Sequence, residues 1–189
     1  IKHSGANSKG AAIYISLQSN IKDPIKIHYS DFCKCNAFNG GAIYIESPFE
    51  INECTFYSQN ANNDDTNYKG GAIYITSDTF KITKCSFIQN SAGEGGAIYY
   101  IPKGSSDTGS VEISECKFMN NAGTLNGCSI SITIGDIESP KPIDINNCIF
   151  IANTEKGCIY YSFGSTKTST RASEYTLRIA ECRFEENKA

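Results

Sequence analysis

The chain has 189 residues, 40% of them hydrophobic and 20% charged, with 16 Gly and only 5 Pro; that is enough to bury one core, and it is the composition of neither a disordered nor a collagen-like chain. Its 17 basic and 20 acidic residues give a net charge of -3, without the basic excess that grips a phosphate backbone, so nucleic acid is not an expected partner. No uninterrupted apolar run approaches the roughly 18 residues of a membrane-spanning helix.

Two short phrases alternate from one end to the other. The first opens as Gly10-Ala11-Ala12-Ile13-Tyr14-Ile15 and returns as Gly40-Gly41-Ala42-Ile43-Tyr44-Ile45, Gly70-Gly71-Ala72-Ile73-Tyr74-Ile75 and Gly95-Gly96-Ala97-Ile98-Tyr99-Tyr100. Two altered copies follow, Gly127-Cys128-Ser129-Ile130-Ser131-Ile132 and the one-residue-shorter Gly157-Cys158-Ile159-Tyr160-Tyr161. The second phrase is Ile-x-x-Cys-x-Phe with Asn three or four residues on, beginning with Ile27, Ser30 in place of Cys, Phe32 and Asn36. It recurs around Cys54, Cys85, Cys116, Cys148 and Cys182, with Phe56, Phe87, Phe118, Phe150 and Phe184 two residues later. Successive Phe residues lie 24, 31, 31, 32 and 34 residues apart. Six copies tile the chain.

The phrases are short, β-branched and alternating, with turn-formers between them, and no segment carries a helical apolar stripe. Helical arrays are thereby excluded, and a propeller blade needs about 40–45 residues. A β unit of this length buries its apolar edge only by stacking on its neighbours. The expected fold is all-β, a single parallel β-helix of about six rungs over residues 1–189. Equivalent side chains then stand above one another at about 4.8 Å. Ile43, Ile73 and Ile98 form one inward column, and the Phe residues another. Asn60, Asn90, Asn121, Asn153 and Asn187 form a corner ladder, and the glycine pairs supply a corner of positive φ or close backbone approach. Both ends read as open rungs, so the expectation is a segment of a longer solenoid or a subunit that stacks head to tail.

The alternating phrases resemble the repeats of the chlamydial polymorphic outer membrane proteins, marked by Gly-Gly-Ala-Ile and Phe-x-x-Asn. The resemblance runs through all six copies. It implies a right-handed, pectin-lyase-like β-helix that serves as an extracellular passenger, adhesin or structural rod at the cell surface. The regular Cys before Phe and the altered last two glycine phrases depart from that pattern, and no β-barrel translocator is present in these residues.

Three constellations bear on function. The five Cys of the second phrase read as small buried hydrophobes, with vertical disulfides as the alternative. Cys128 and Cys158 both stand at the glycine corner of consecutive rungs and form the better disulfide candidate. Tyr14, Tyr44, Tyr74, Tyr99 and Tyr160 face outward if Ile faces in, as a strip that stacks on sugar rings, packs against a neighbouring rod, or stabilises its own sheet. The carboxylates scatter over turns, Asp64-Asp65 being the one adjacent pair, and only His3 and His28 are present. No catalytic residue, metal site or cofactor is expected. The reading is an extracellular or cell-surface structural or adhesive rod, not an enzyme, that self-associates end to end or laterally or binds other surface proteins or glycans. The alternative is a polysaccharide-binding or polysaccharide-degrading β-helix.

Overall fold

A computed structural model of the protein describes residues 8–16, 23–61, 68–103, 109–135, 142–163 and 177–189. Among them there is no helix; the chain winds as a parallel β-solenoid with three six-stranded sheets. Sheet I holds Ile13–Ile15, Ile43–Ile45, Ile73–Ile75, Ile98–Tyr100, Ile130–Ile134 and Ile159–Phe163. Sheet II runs from Ile25–His28 through Phe49–Asn52, Phe80–Thr83, Val111–Ser114 and Ile143–Asn146 to Leu177–Ala180. Sheet III holds Asp31–Cys33, Thr55–Tyr57, Ser86–Ile88, Lys117–Met119, Ile149–Ile151 and Arg183–Glu185. Every strand pairs in parallel with its counterpart one circuit away, Ile43 opposite Ile73 and Phe56 opposite Phe87. No helix among the described residues is long and apolar enough to cross a membrane.

Each circuit turns through left-handed residues. Between sheets II and III the connection is always two residues, the first at φ near +50°: Tyr29, Glu53, Lys84, Glu115, Asn147 or Glu181. A non-glycine residue there costs roughly 1–2 kcal/mol, so something must hold it. That role falls to the next residue. Cys54, Cys85, Cys116, Cys148 and Cys182 point inward with Sγ 3.2–3.4 Å from the carbonyl two residues back. Each also lies 3.5–3.8 Å from a carbonyl of the preceding circuit. Ser30 donates to the His28 carbonyl at 2.9 Å, the same closure by a hydroxyl, which explains why Ser substitutes for Cys in the first copy. The Cys85 N–H lies 3.4 Å from Cys116 Sγ, so these cysteines sit on touching coils.

A second left-handed corner follows sheet III at Lys34, Ser58, Gln89, Asn120, Ala152 and Glu186. The residue after it carries the amide ladder. Asn90, Asn121 and Asn153 are fully buried; each accepts on Oδ1 from the backbone N–H of the preceding circuit's ladder residue, at 2.9–3.0 Å, and Asn187 does the same for Asn153. Their Nδ2 groups donate to the Phe carbonyls of that circuit at 2.9–3.1 Å. The expectation for Asn60 is corrected here. Asn60 is exposed, and the buried Gln59 takes its place, donating its own N–H to Asn90 Oδ1 at 3.0 Å. The ladder position is three residues after Phe; in the first two circuits Cys35 and Gln59 occupy it.

The interior is one apolar column. The Phe rings from Phe32 to Phe184 stack with centroids 4.8–4.9 Å apart and planes within 4–5°, and each full burial contributes roughly 1.5–3 kcal/mol. The third corner is the glycine pair. Gly40, Gly70, Gly95 and Gly127 adopt φ of 60–67°, and a Cβ on the following Gly71 would lie 2.0 Å from the Gly96 carbonyl oxygen. Cys128 fits at that second position because the next circuit is one residue shorter. Its N–H meets the Gly157 carbonyl at 3.0 Å, while Ser129 and Ile130 both bond the Cys158 carbonyl. Cys158 therefore aligns with the Ala that follows the glycine pair, not with the glycine corner.

Candidate functional site: the tyrosine face

The outer side of sheet I carries Tyr14, Tyr44, Tyr74, Tyr99, Ser131 and Tyr160 in one register, because each is flanked by inward Ile and strand side chains alternate. Successive ring centroids are 5.5, 4.9 and 5.1 Å apart from Tyr14 to Tyr99. The strip differs from the expectation in its accessibility. Tyr44 is 6% and Tyr99 1% exposed, Tyr74 is half-buried, and only Tyr14 and Tyr160 present open rings, at 53% and 36%.

Charged side chains cover the middle of the column. The residue before each left-handed glycine lies beside it, where Lys9, Asn39, Lys69 and Glu94 bridge circuit to circuit. Lys9 Nζ sits 4.4 Å from the Tyr44 ring centre and Lys69 Nζ 4.6 Å from that of Tyr99, both within cation–π reach. Lys69 also donates to the Tyr99 hydroxyl at 3.1 Å and pairs with Glu94 at 2.9 Å. Burial pulls its pKa down, yet the hydrogen bonds to Glu94 and Tyr99 win and raise it. Glu46 lies between Lys9 and Lys103, at 3.9 and 3.2 Å. Burial first, then a hydrogen bond to Glu46, raises the Tyr44 phenol, and burial pushes Tyr74 up to about 12. These phenols are proton-holding donors under ordinary conditions and are not poised as acids. Repeat spacing singles out the tyrosines; of the covering charges, Lys9 and Lys69 carry one signal, their place immediately before Gly, and Glu46 carries none.

Cys128 and Cys158 are adjacent buried thiols. A hydrogen bond from Cys158 lowers Cys128, and the same bond, with burial, raises Cys158. Asp64 and Asp65 lie outside the described residues. Asp78 accepts from the Lys103 N–H at 2.8 Å, which makes it a loop-closing carboxylate. Among the described residues no three His, Cys, Asp or Glu side chains are arranged to hold a metal ion.

Residues 84–100 match the family model of the Chlamydia polymorphic membrane protein repeat. The matched stretch begins at the left-handed Lys84, passes through Cys85, Phe87 and Asn90, and ends on the Ile98–Tyr100 strand. It therefore contains one complete set of the ladder residues described above. No curated protein and no solved structure matches the chain.

Proposed function

We propose that the protein is a non-catalytic extracellular or cell-surface rod that works through its surface and by assembling with copies of itself. The observation that carries this reading is the sameness of successive circuits: from Phe56 to Phe150 the inward rings repeat one stacking geometry, 4.8–4.9 Å and 4–5°, and Ile43 stands on Ile73 as Phe56 stands on Phe87. A column built this way accepts another coil of the same kind, a heterologous contact that repeats without closing. The pectin-lyase-like affinity and the surface location belong to the same reading; a repeat similar to that of a bacterial membrane protein family supports them.

Negative-stain electron microscopy of the 189-residue chain tests it. Rods several times the roughly 29 Å of six stacked coils are expected. Compact single particles at every concentration overturn it. Polysaccharide binding is the second reading, and the half-exposed Tyr14 beside Lys9 favours it. Retention on a glycan that is lost in Tyr14→Ser, with assembly unchanged, would move it to first place.

A further inference from the structure

The outer sides of sheets II and III differ in chemistry. On sheet II the central outward column is charged, with Lys26 paired to Glu50 at 3.8 Å and Lys81 to Glu112 at 3.2 Å, a solvated face. On sheet III the outward column that follows the Phe residues reads Cys33, Tyr57, Ile88, Met119, Ile151 and Glu185 in register. Its four middle members are apolar; Tyr57 is 41% exposed and the other three are half-buried. A continuous apolar row beside an outward column that is polar except for Ile149 marks a contact surface.

We infer that this face binds the same face of a second copy, with the two solenoids antiparallel about a two-fold axis along the strand direction. That operation lays the first circuit on the sixth, the second on the fifth and the third on the fourth. Tyr57 then meets Ile151, and Ile88 meets Met119, so the apolar row closes on its own reverse. The charges agree. Asp31 comes opposite Arg183 in the column beside it, and all of the following corner charges are solvent-exposed. Lys34 comes opposite Glu186 along one edge of the sheet, and Lys84 opposite Glu115 along the other. No like charges face one another in any of these columns. The parallel alternative, with the axis along the solenoid, sets Ile88 against Ser86 and Met119 against Lys117. Mismatches of that kind select one arrangement over the other.

Six coils at about 4.8 Å and six residues across at about 3.3 Å give roughly 570 Å² per copy. The total of about 1,100 Å² falls in the range of weak, specific interfaces, and an isologous contact of this sort closes as a dimer. The inference deepens the assembly reading above and rests on it for the premise that copies of the protein meet. The sheet III face and the stacking direction are different surfaces, so rod growth, read by microscopy, and dimerisation, read by sedimentation, can fail separately.

Sedimentation velocity over a concentration series tests it. A reversible dimer in the micromolar range is expected for the native chain. Lys34→Glu and Glu186→Lys each disturb two symmetry-related contacts at once and are expected to weaken the dimer about tenfold. The double reversal restores it to within about twofold. Within one chain the two positions are five coil spacings, about 24 Å, apart, well beyond the ~10 Å screening length at 0.1 M salt, so contact across copies accounts for the rescue. Ile88→Asp, checked for folding by circular dichroism, is expected to give monomer. A monomer at all concentrations, or a dimer that the double reversal fails to restore, overturns the inference.

Discussion

Asn121 and Asn153 share one oxygen: Asn153 Oδ1 accepts both the backbone N–H of Asn121, at 2.9 Å, and its Nδ2, at 3.1 Å. The same unit recurs between Asn90 and Asn121 and between Asn153 and Asn187. Each rung of this ladder satisfies a buried corner that no strand pairing reaches, and chained amides polarise one another.

Asn121→Ala removes two buried acceptor contacts and two donations, to the Phe87 carbonyl and to Asn153 Oδ1. With each orphaned group costing about 1–3 kcal/mol, we expect a loss of about 3–5 kcal/mol in urea unfolding. Gln59→Ala, which frees the Phe32 carbonyl and the Cys35 N–H, is expected to cost about 2–3 kcal/mol. The exposed Asn60→Ala stays within about 0.5 kcal/mol. Equal effects at 59 and 60 contradict this assignment.

Gly71→Ala drives a methyl into the Gly96 carbonyl and the Ser91 backbone. Separation of the two coils by such a clash exceeds the usual overpacking cost of about 1–3 kcal/mol, and we expect failure to fold or a fall in Tm of more than 10 °C, since about 1 kcal/mol shifts a chain of this size by ~2–4 °C. At Gly135 nothing lies within 4 Å of an added Cβ, so Gly135→Ala is the matched control, with an unchanged melting curve.

Thiol chemistry separates the cysteines. The exposed Cys33 is expected to react at once with an aromatic disulfide reagent, while the buried Cys54, Cys85, Cys116 and Cys148 react only on unfolding. Burial first, then its hydrogen bonds to Cys148 and Cys85, holds Cys116 well above the ordinary thiol range, so that site offers little thiolate. Because Cys128 and Cys158 are buried as well, oxidised glutathione is expected to join them when the reduced chain refolds in its presence, each bond formed releasing two glutathione thiols. Closing that loop of about 30 residues stabilises by about 3.6 kcal/mol in the chain-entropy account. Peptide mapping in which both positions remain alkylatable rules this out.

The tyrosine face carries a pH dependence. Tyr74 titrates near 12 in the folded protein because it is buried, against about 10 in the unfolded chain. Above pH 10 the unfolded state has released this proton and the folded state has not, so its contribution to stability is complete below about pH 10 and is lost as pH rises through about 12. Absorbance at 295 nm is expected to show Tyr44 and Tyr74 ionising together with alkaline unfolding. Smooth titration of all tyrosines near pH 10 contradicts their burial.

What the sequence discloses is whatever repeats at constant spacing. The columns of Cys85 and Cys116, Phe87 and Phe118, and Ile43 and Ile73 are legible because one circuit maps each residue onto its counterpart. Gln59 is not, because the eye follows Asn and the position follows the corner: three residues after Phe, any side chain that caps the Phe32 carbonyl serves. Cys158 misleads for a similar reason, since one deleted residue moves it from the glycine corner to the Ala position. Burial of Tyr44 and Tyr99 is illegible for another reason. Alternation reports which side of a sheet a residue faces, and is silent about Lys9, Lys69 and Glu46 folding over it from outside the strands.

Between sheets II and III every link is two residues, Glu53-Cys54 in one circuit and Glu115-Cys116 in another, whereas from sheet I to sheet II the link runs from three residues (46–48) to thirteen (164–176). Length variation is thus confined away from the cysteine edge of the prism. New sequence can be spliced in at the sheet I–II edge without disturbing a single ladder, so the decoration of this rod is free to diversify while its frame stays still.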